Sequence, residues 1–305
     1  MHTRWLVVLL LMACTPGNQS HTTGRPDRSA LGQTPAGAVY HTGNCVGDND
    51  QGRLVIFAPG TSVTPQRSKR YVEHLGDATG LCVIAVGYEN SELVARCCTT
   101  TATTAGPQDP ECLRRVLGAK AAADPPEMIC TDGAQLSVPY SRSVEGAILE
   151  ALTHLGMRHY LTPGEGGVRW QRLVLTGHSQ GAQLSLFIAL ERHRVAGVGS
   201  IGGGVLPTVG PRPYPAFVYD ARATDPTLFK AFHHAHDEDA FRRDAYGAMG
   251  FSLENIHTSD DSSPECETNP HGCVVVDPVV PMRDGKPVFQ EDWKWLVTPE
   301  ISQGR

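Results

Sequence analysis

The stretch Arg172-Leu-Val-Leu-Thr-Gly-His-Ser-Gln-Gly-Ala-Gln183 decides the fold of this 305-residue chain. Apolar and β-branched residues lead into Gly177-His-Ser-Gln-Gly181, and a segment compatible with a helix follows at once. A Gly-x-Ser-x-Gly between a strand and a helix forms a tight turn that holds its serine at strained backbone angles above a sheet. The pattern predicts a nucleophile at Ser179, and a flexible loop is the alternative in a chain with 32 glycines.

Strands and helices are predicted to alternate on both sides of this turn. Continuous apolar runs at 53–58 and 81–86 predict strands buried on both faces, and two more strands are predicted at 195–201 and 228–232. Apolar residues at helical spacing predict helices over 68–78 and 140–156. This alternation implies an α/β fold, with a mostly parallel sheet and helices on both of its faces.

The N-terminus has the pattern of an export signal. Arg4 precedes an apolar run that is too short to span a bilayer, so residues 1–13 are predicted to be a signal peptide. Leu11-Met-Ala-Cys14 resembles the bacterial lipobox, in which Cys14 is lipidated, and an ordinary cleaved signal with an incidental cysteine is the alternative. Either reading predicts export, as a cell-envelope lipoprotein of the outer membrane or periplasm, or as a secreted protein.

The rest of the chain is predicted to be a tether and one domain. Residues 14–48, with or without a lipid, are expected to be the tether, because the sequence to about residue 38 is rich in Ser, Thr, Gly and Pro and has no apolar period. The domain is expected over 49–302, with an insertion at 89–137. We expect the order of this insertion to depend on disulfides more than on a core, and it is either a cap over the site or a surface loop.

Cysteine usage predicts disulfides. Of nine cysteines, eight remain when Cys14 is set aside, and an even number in an exported chain indicates pairing. No Cys-x-x-Cys pair is present, so a zinc site is not favoured. The predicted pairs are Cys266 with Cys273, and one of Cys97 or Cys98 with Cys112. Cys82, inside an apolar run, could be a free buried thiol.

A reactive serine requires a base that takes its proton and a carboxylate that orients the base. In this type of site both follow the serine along the chain. Asp237, in the loop after the 228–232 strand, is the preferred acid. The alternative acids are Asp239 and Asp225, the second of which follows a further strand predicted at 215–219.

The preferred base is His271, because a disulfide between Cys266 and Cys273 would close a rigid loop around it. His257 is the alternative base. The developing oxyanion requires preset N–H donors, for which we select the backbone of Thr61, with Gly60 as the alternative, and the backbone of Gln180. His178 is expected to pack beside the site.

These motifs together resemble bacterial α/β-hydrolases over roughly residues 50–298, and more closely a poorly characterised family of exported members. The resemblance implies an α/β-hydrolase fold, a triad of Ser179, Asp237 and His271, and no cofactor. It is carried by Ala58-Pro-Gly-Thr61, Trp170, Gly177-His-Ser-Gln-Gly181, Phe232-His-His-Ala-His-Asp237, His271 with residues 274–277, Asp284-Gly-Lys-Pro-Val288 and Trp293.

The sequence therefore predicts an exported serine hydrolase that cleaves carboxylic esters through an acyl-enzyme on Ser179. The substrate would be a small-molecule or polymeric ester. The protein would associate with a membrane only through the lipid at its N-terminus. The net charge of −6, without a basic block, argues against nucleic-acid binding. The alternatives are a non-catalytic binding lipoprotein on a hydrolase scaffold, and a metal-dependent hydrolase that uses the His and Asp cluster at 233–239.

Overall fold

An eight-stranded sheet forms the centre of the molecule. The computed structural model describes residues 29–34, 37–42, 45, 52–99, 108–164, 166–220, 222–237 and 241–298. The strand order is β1-β2-β4-β3-β5-β6-β7-β8, and every neighbouring pair is parallel except the two that involve β2. The strands are β1 (Ser29–Thr34), β2 (Gly37–Thr42), β3 (Leu54–Ala58), β4 (Cys82–Val86), β5 (Leu173–His178), β6 (Gly197–Ile201), β7 (Phe229–His234) and β8 (Ile256–Ser259).

Helices cover both faces of this sheet. The helices are α1 (Lys69–Thr79), α2 (Val94–Cys98), α3 (Pro110–Ala122), α4 (Val144–His154), α5 (Gln180–Phe187), α6 (Phe241–Ala248), α7 (Pro264–Thr268) and α8 (Gln290–Val297). A π-helical turn, Ile188–Arg192, continues α5, and two short hairpins lie outside the main sheet. Within the described ranges, no helix combines the length and the apolar character needed to cross a bilayer.

The alternation of side chains along each strand divides the core into two layers. In β3, Leu54 and Ile56 contribute to a cluster that includes residues of α3, α4, α5 and α6, whereas Val55 and Phe57 contribute to a cluster with α1 and α8. Both sets are buried, which explains why β3 and β4 have uninterrupted apolar sequences. The predicted α/β architecture is therefore confirmed.

The predicted helices are present with ends set by their caps. The predicted 140–156 helix begins later, at Val144, because the Ser143 side chain accepts a hydrogen bond from the Gly146 N–H. The helix predicted over 68–78 is α1, which ends where Gly80 takes the left-handed conformation at φ 73°.

Two features of the chain differ from the sequence-based predictions. Part of the predicted tether, at 29–34 and 37–42, forms β1 and β2. The backbone of β2 pairs with β1 on one side and with β4 on the other, and its Val39 and Tyr40 side chains are buried in the core. The strand predicted at 215–219 is instead a 3-10 turn, Ala216–Val218, which begins after Pro215. Residues 1–28, which include the predicted signal peptide and Cys14, lie outside the described residues.

The insertion at 89–137 contributes a helix to the core, whereas disulfides were expected to order it more than a core. The buried face of α3, which includes Leu113, Val116 and Leu117, belongs to the same cluster as α4 and α5. Asp109 caps the helix by accepting from the Cys112 N–H at 2.6 Å, and a proline opens it. This helix therefore belongs to one of the layers that cover the sheet.

Four disulfides join the eight cysteines that follow Cys14. The structure pairs Cys266 with Cys273 and Cys98 with Cys112. It also pairs Cys97 with Cys130. Cys82 is bonded to Cys45, so the prediction that it could be a free thiol is wrong. An apolar strand is a suitable place for a buried disulfide, because a bonded sulfur has no proton to donate and its pair is as apolar as the surrounding core.

Lys120 is the most unusual residue of α3, because its side chain is only 1% exposed. Its Nζ donates hydrogen bonds to the carbonyl oxygens of Glu89 at 3.1 Å and Glu92 at 2.9 Å. Burial lowers the pKa of Lys120 to about 8, and the nearby carboxylates of Glu89 and Glu92 only partly oppose this shift. The charged ammonium is therefore held in the core at a cost to stability.

This cost predicts a pH dependence of stability. Because the pKa is about 8 in the folded state and 10.5 without the fold, the folded chain binds fewer protons between these values, and stability should rise with pH there. Below about pH 8 the penalty is fully present. Between pH 7.5 and 9.5, the rise attributable to Lys120 should approach about 2 kcal/mol, at about 1.4 kcal/mol per pH unit.

The measurement is urea unfolding of the wild type and Lys120→Met at several pH values. As the pH rises, the unfolding free energy of the wild type should increase relative to that of Lys120→Met. Parallel pH profiles of the two proteins would contradict the assignment.

Candidate active site

The turn between β5 and α5 has the geometry of a nucleophile elbow. Ser179 has φ 52° and ψ −117°, a conformation that costs energy for a residue with a side chain. A Cβ on Gly177 would lie 2.4 Å from the Gly181 backbone, and one on Gly181 would lie 1.9 Å from the carbonyl oxygen of Ala58. Only glycine fits at these two positions, as the motif requires.

Four chain segments meet at the carboxyl edge of the sheet. Ser179 follows β5, the Pro59-Gly60-Thr61 loop follows β3, and Asp237 follows β7. His271 comes from the loop after α7. Ligands of open α/β sheets bind outside the carboxyl ends of the strands, so these segments mark the candidate site.

Asp237 and His271 form a charge-assisted pair. The distance between His271 Nδ1 and Asp237 Oδ2 is 2.9 Å. The carboxylate side chain is 6% exposed, whereas the imidazole is 35% exposed. A carboxylate can only accept, so Nδ1 carries the proton and Nε2 of the neutral ring keeps its lone pair. This is the tautomer that a general base requires.

The loop that carries His271 is fixed from within. Cys266 and Cys273 are both fully buried and close the loop with a disulfide. Asn269 adds two hydrogen bonds, since its Oδ1 accepts from the Gly272 N–H at 2.8 Å and its carbonyl accepts from the Cys273 N–H at 2.9 Å. A histidine in such a loop has little freedom to move away from its partner.

His178 also holds this loop. Its ring is 4% exposed, and Nε2 donates to the carbonyl oxygen of His271 at 2.8 Å. The ring centroids of His178 and His271 lie 4.6 Å apart. Next to these rings is Gly202, on which a Cβ would lie 3.5 Å from His178 Nε2 and 3.6 Å from Asp237 Oδ2. His178, the residue directly before Ser179, therefore holds the backbone of His271, a contact that the sequence did not reveal.

The loop after β3 lies against Ser179. A Cβ added to Gly60 would be 3.3 Å from the Ser179 Cβ. The Thr61 hydroxyl is buried and has no hydrogen-bond partner among the described residues. Asn90 and Tyr88, from the segment after β4, donate side-chain hydrogen bonds to the carbonyls of this loop. Sequence analysis missed both residues, although their position just beyond the end of a predicted strand was a usable signal.

The alternative acid and base lie elsewhere. Asp225 caps the turn before β7, where it accepts from the Thr227 N–H at 3.0 Å, and so it is at the opposite edge of the sheet. His257 Nδ1 contacts Asp292 Oδ1 at 3.2 Å, and its ring stacks on Trp295 at a centroid distance of 3.5 Å. Neither residue is brought to the Asp237 and His271 pair. Asp239 lies outside the described residues.

The histidines of the 233–239 cluster have separate partners. His233 and His234 are neighbours on β7 and therefore point to opposite faces. Nε2 of His233 contacts the Thr258 hydroxyl at 3.2 Å, and Nε2 of His234 contacts the Asp261 carbonyl at 2.9 Å. His234 also lies within 4.8 Å of the Cys266 and Cys273 sulfurs, but these are joined in a disulfide. These described side chains do not converge on a common metal position.

The Cys266–Cys273 disulfide should matter for activity as well as for stability. The double variant Cys266→Ala/Cys273→Ala should lose at least about tenfold of the ester hydrolysis that the sequence predicts, measured below its melting temperature, because misplacing a catalytic group costs up to about 100-fold. The control is Cys45→Ala/Cys82→Ala, which removes a disulfide at the amino end of β4. Its activity should be retained at the same temperature. Equal activity losses in both double variants would show that the effect is general destabilisation.

Solved structures similar to this chain include the Francisella virulence factor BioJ, at 13% identity and a TM-score of 0.47, covering 89% of this chain and 85% of that chain. Thermogutta terrifontis esterase 2 phosphoramylated by tabun is similar at 11% identity and a TM-score of 0.46, covering 88% of this chain and 92% of that chain. Esterase LipW from Mycobacterium marinum is similar at 13% identity and a TM-score of 0.43, covering 88% of this chain and 80% of that chain.

No protein-family model matches the chain, and no curated protein matches it by sequence. The fold is defined by the geometry of the chain itself. A mostly parallel sheet, a nucleophile elbow after β5, and a carboxylate and a histidine that follow it in chain order are the features of an α/β-hydrolase fold, and this chain has that fold.

Proposed function

We propose that this protein is an exported serine hydrolase that cleaves carboxylic esters. The observation that carries the proposal is the 2.9 Å contact between His271 and Asp237 at the sheet edge where the elbow presents Ser179. A strained serine, an imidazole with its lone pair on Nε2, and a largely buried carboxylate are the three groups that acyl transfer requires.

In the proposed reaction, His271 Nε2 takes the proton of the Ser179 hydroxyl as the oxygen attacks the ester carbonyl. The buried Asp237 carboxylate stabilises the resulting imidazolium and keeps the ring in place. The N–H groups of Thr61 and Gln180 donate to the oxyanion of the tetrahedral intermediate. Protonation of the leaving alcohol by His271 then gives an acyl-enzyme, which water hydrolyses by the same steps.

Export is supported by the cysteines as well as by the N-terminal sequence. All eight cysteines after Cys14 are in disulfides, and such bonds persist in oxidising compartments. We propose that the signal peptide directs the chain out of the cytoplasm, and that a lipid on Cys14 then anchors it to the cell envelope.

The direct test is hydrolysis of 4-nitrophenyl esters of increasing acyl length by the wild type and Ser179→Ala. The variant should lose about 10⁴-fold or more in kcat, because removal of the nucleophile leaves only binding and oxyanion stabilisation. Asp237→Asn should also lose activity, whereas Asp225→Asn, at the opposite edge of the sheet, should keep it. Equal turnover by the wild type and Ser179→Ala would refute the mechanism.

A fluorophosphonate probe distinguishes the alternatives. Covalent labelling of the wild type, but not of Ser179→Ala, is the expected result. A folded wild type that neither labels nor hydrolyses esters would indicate a binding protein on this scaffold. Hydrolysis that is abolished by a chelator, and persists in Ser179→Ala, would indicate a metal-dependent enzyme instead.

A further inference from the structure

We propose that Asn90 is a positioning residue that sets the direction of the oxyanion-hole N–H groups. This inference rests on the proposed serine hydrolase function. It concerns the segment 88–94 after β4, called here the bracket, which contacts both of the chain segments expected to supply those N–H groups.

The first contact is between Asn90 and the loop after β3. Asn90 Nδ2 donates to the carbonyl oxygens of Gly60 at 2.7 Å and Val63 at 2.9 Å. The Asn90 carbonyl in turn accepts from the Ser62 N–H at 2.9 Å. Three hydrogen bonds from one residue thus fix a five-residue loop, 59–63, that lies against Ser179.

The Gly60 carbonyl is the critical acceptor because of peptide geometry. The C=O of Gly60 and the N–H of Thr61 belong to one planar peptide unit and point in opposite directions when it is trans. Holding the Gly60 oxygen on the Asn90 side therefore aims the Thr61 N–H away from Asn90. Tyr88 acts in the same way on the preceding unit, since its hydroxyl donates to the Pro59 carbonyl at 2.7 Å and so sets the Gly60 N–H.

The second contact is between the bracket and Gln180. The Val94 N–H donates to the Gln180 side-chain Oε1 at 3.1 Å. Gln180 is 3% exposed and opens α5, and its backbone N–H is the other proposed oxyanion donor. One short segment therefore connects the two halves of the proposed oxyanion hole, which otherwise come from separate strands.

The bracket itself is held firmly. Lys120 Nζ donates to the carbonyls of Glu89 and Glu92, on either side of Asn90, at 3.1 and 2.9 Å. On the outer side, the Arg142 guanidinium pairs with the Glu89 carboxylate at 2.5 Å, and the Arg142 backbone carbonyl accepts from the Glu89 N–H at 2.8 Å. With its flanks fixed in this way, Asn90 can transmit a defined geometry to the loop that it holds.

The test compares Asn90→Ala, Asn90→Asp and the control Glu92→Ala in 4-nitrophenyl butyrate hydrolysis. Loss of a whole oxyanion donor costs about 100- to 1,000-fold, so a misdirected donor should reduce kcat by about 10- to 100-fold and leave KM within about threefold. Asn90→Asp should be worse than Asn90→Ala, because its carboxylate would face two carbonyl oxygens. Glu92→Ala should resemble the wild type, since that side chain is 58% exposed and pairs with Arg96 on the surface, 3.9 Å away.

A second measurement separates positioning from a general structural role. A trifluoromethyl ketone forms a tetrahedral adduct with an oxyanion, so its affinity should fall in each Asn90 variant by about the same factor as kcat/KM. Thermal melting confirms that the variants are folded at the assay temperature. Wild-type kcat in both Asn90 variants, or a loss of kcat without a matching loss of inhibitor affinity, would overturn the proposal.

The activity of the wild type distinguishes a failure of this proposal from a failure of the proposed function. If the wild type shows no hydrolysis that depends on Ser179, the serine hydrolase assignment fails and the role of Asn90 fails with it. If the wild type is active and only the Asn90 result is negative, the hydrolase assignment stands and the bracket is structural.

Discussion

The close contact between the Gly181 backbone and the end of β3 determines the arrangement of the site. No Cβ fits at Gly181, because the Ala58 carbonyl oxygen would lie 1.9 Å from it. The start of α5 therefore packs directly on the β3 terminus, and the chain must turn sharply at Ser179, with a positive φ. The same contact places the Gly60 loop beside the serine, so one steric constraint brings together the proposed nucleophile and the proposed oxyanion donors.

Backbone carbonyls are held by side chains at each remaining part of the site. His178 holds the carbonyl of His271, Asn90 holds that of Gly60, and Tyr88 holds that of Pro59. A bond to a carbonyl orients the whole planar peptide unit, which makes it an efficient way to position a loop. Tyr88 and Lys120, which both hold backbone carbonyls, are themselves buried. Their burial raises the pKa of the Tyr88 phenol and lowers the pKa of the Lys120 ammonium.

The central strands, the flanking helices and the tight turn at Ser179 could all be predicted, because each leaves a local signal. Buried parallel strands are apolar throughout, and the elbow requires glycine at two fixed positions. The strands β1 and β2 and the partner of Cys82 could not be predicted. The pairing of β1 with β2 depends on backbone hydrogen bonds that carry no sequence pattern, and Cys45 is 37 residues away from Cys82 along the chain.

The sequence by itself determined the α/β class and a serine at a strained turn, since both depend on residues that are adjacent along the chain. Only the tertiary structure decided that His271 contacts Asp237 and not Asp225, and that His257 contacts Asp292 instead. It alone revealed the contacts of Asn90, which join segments about 30 residues apart. Such contacts arise where the carboxyl ends of parallel strands converge, and spacing along the chain does not encode which side chains meet there.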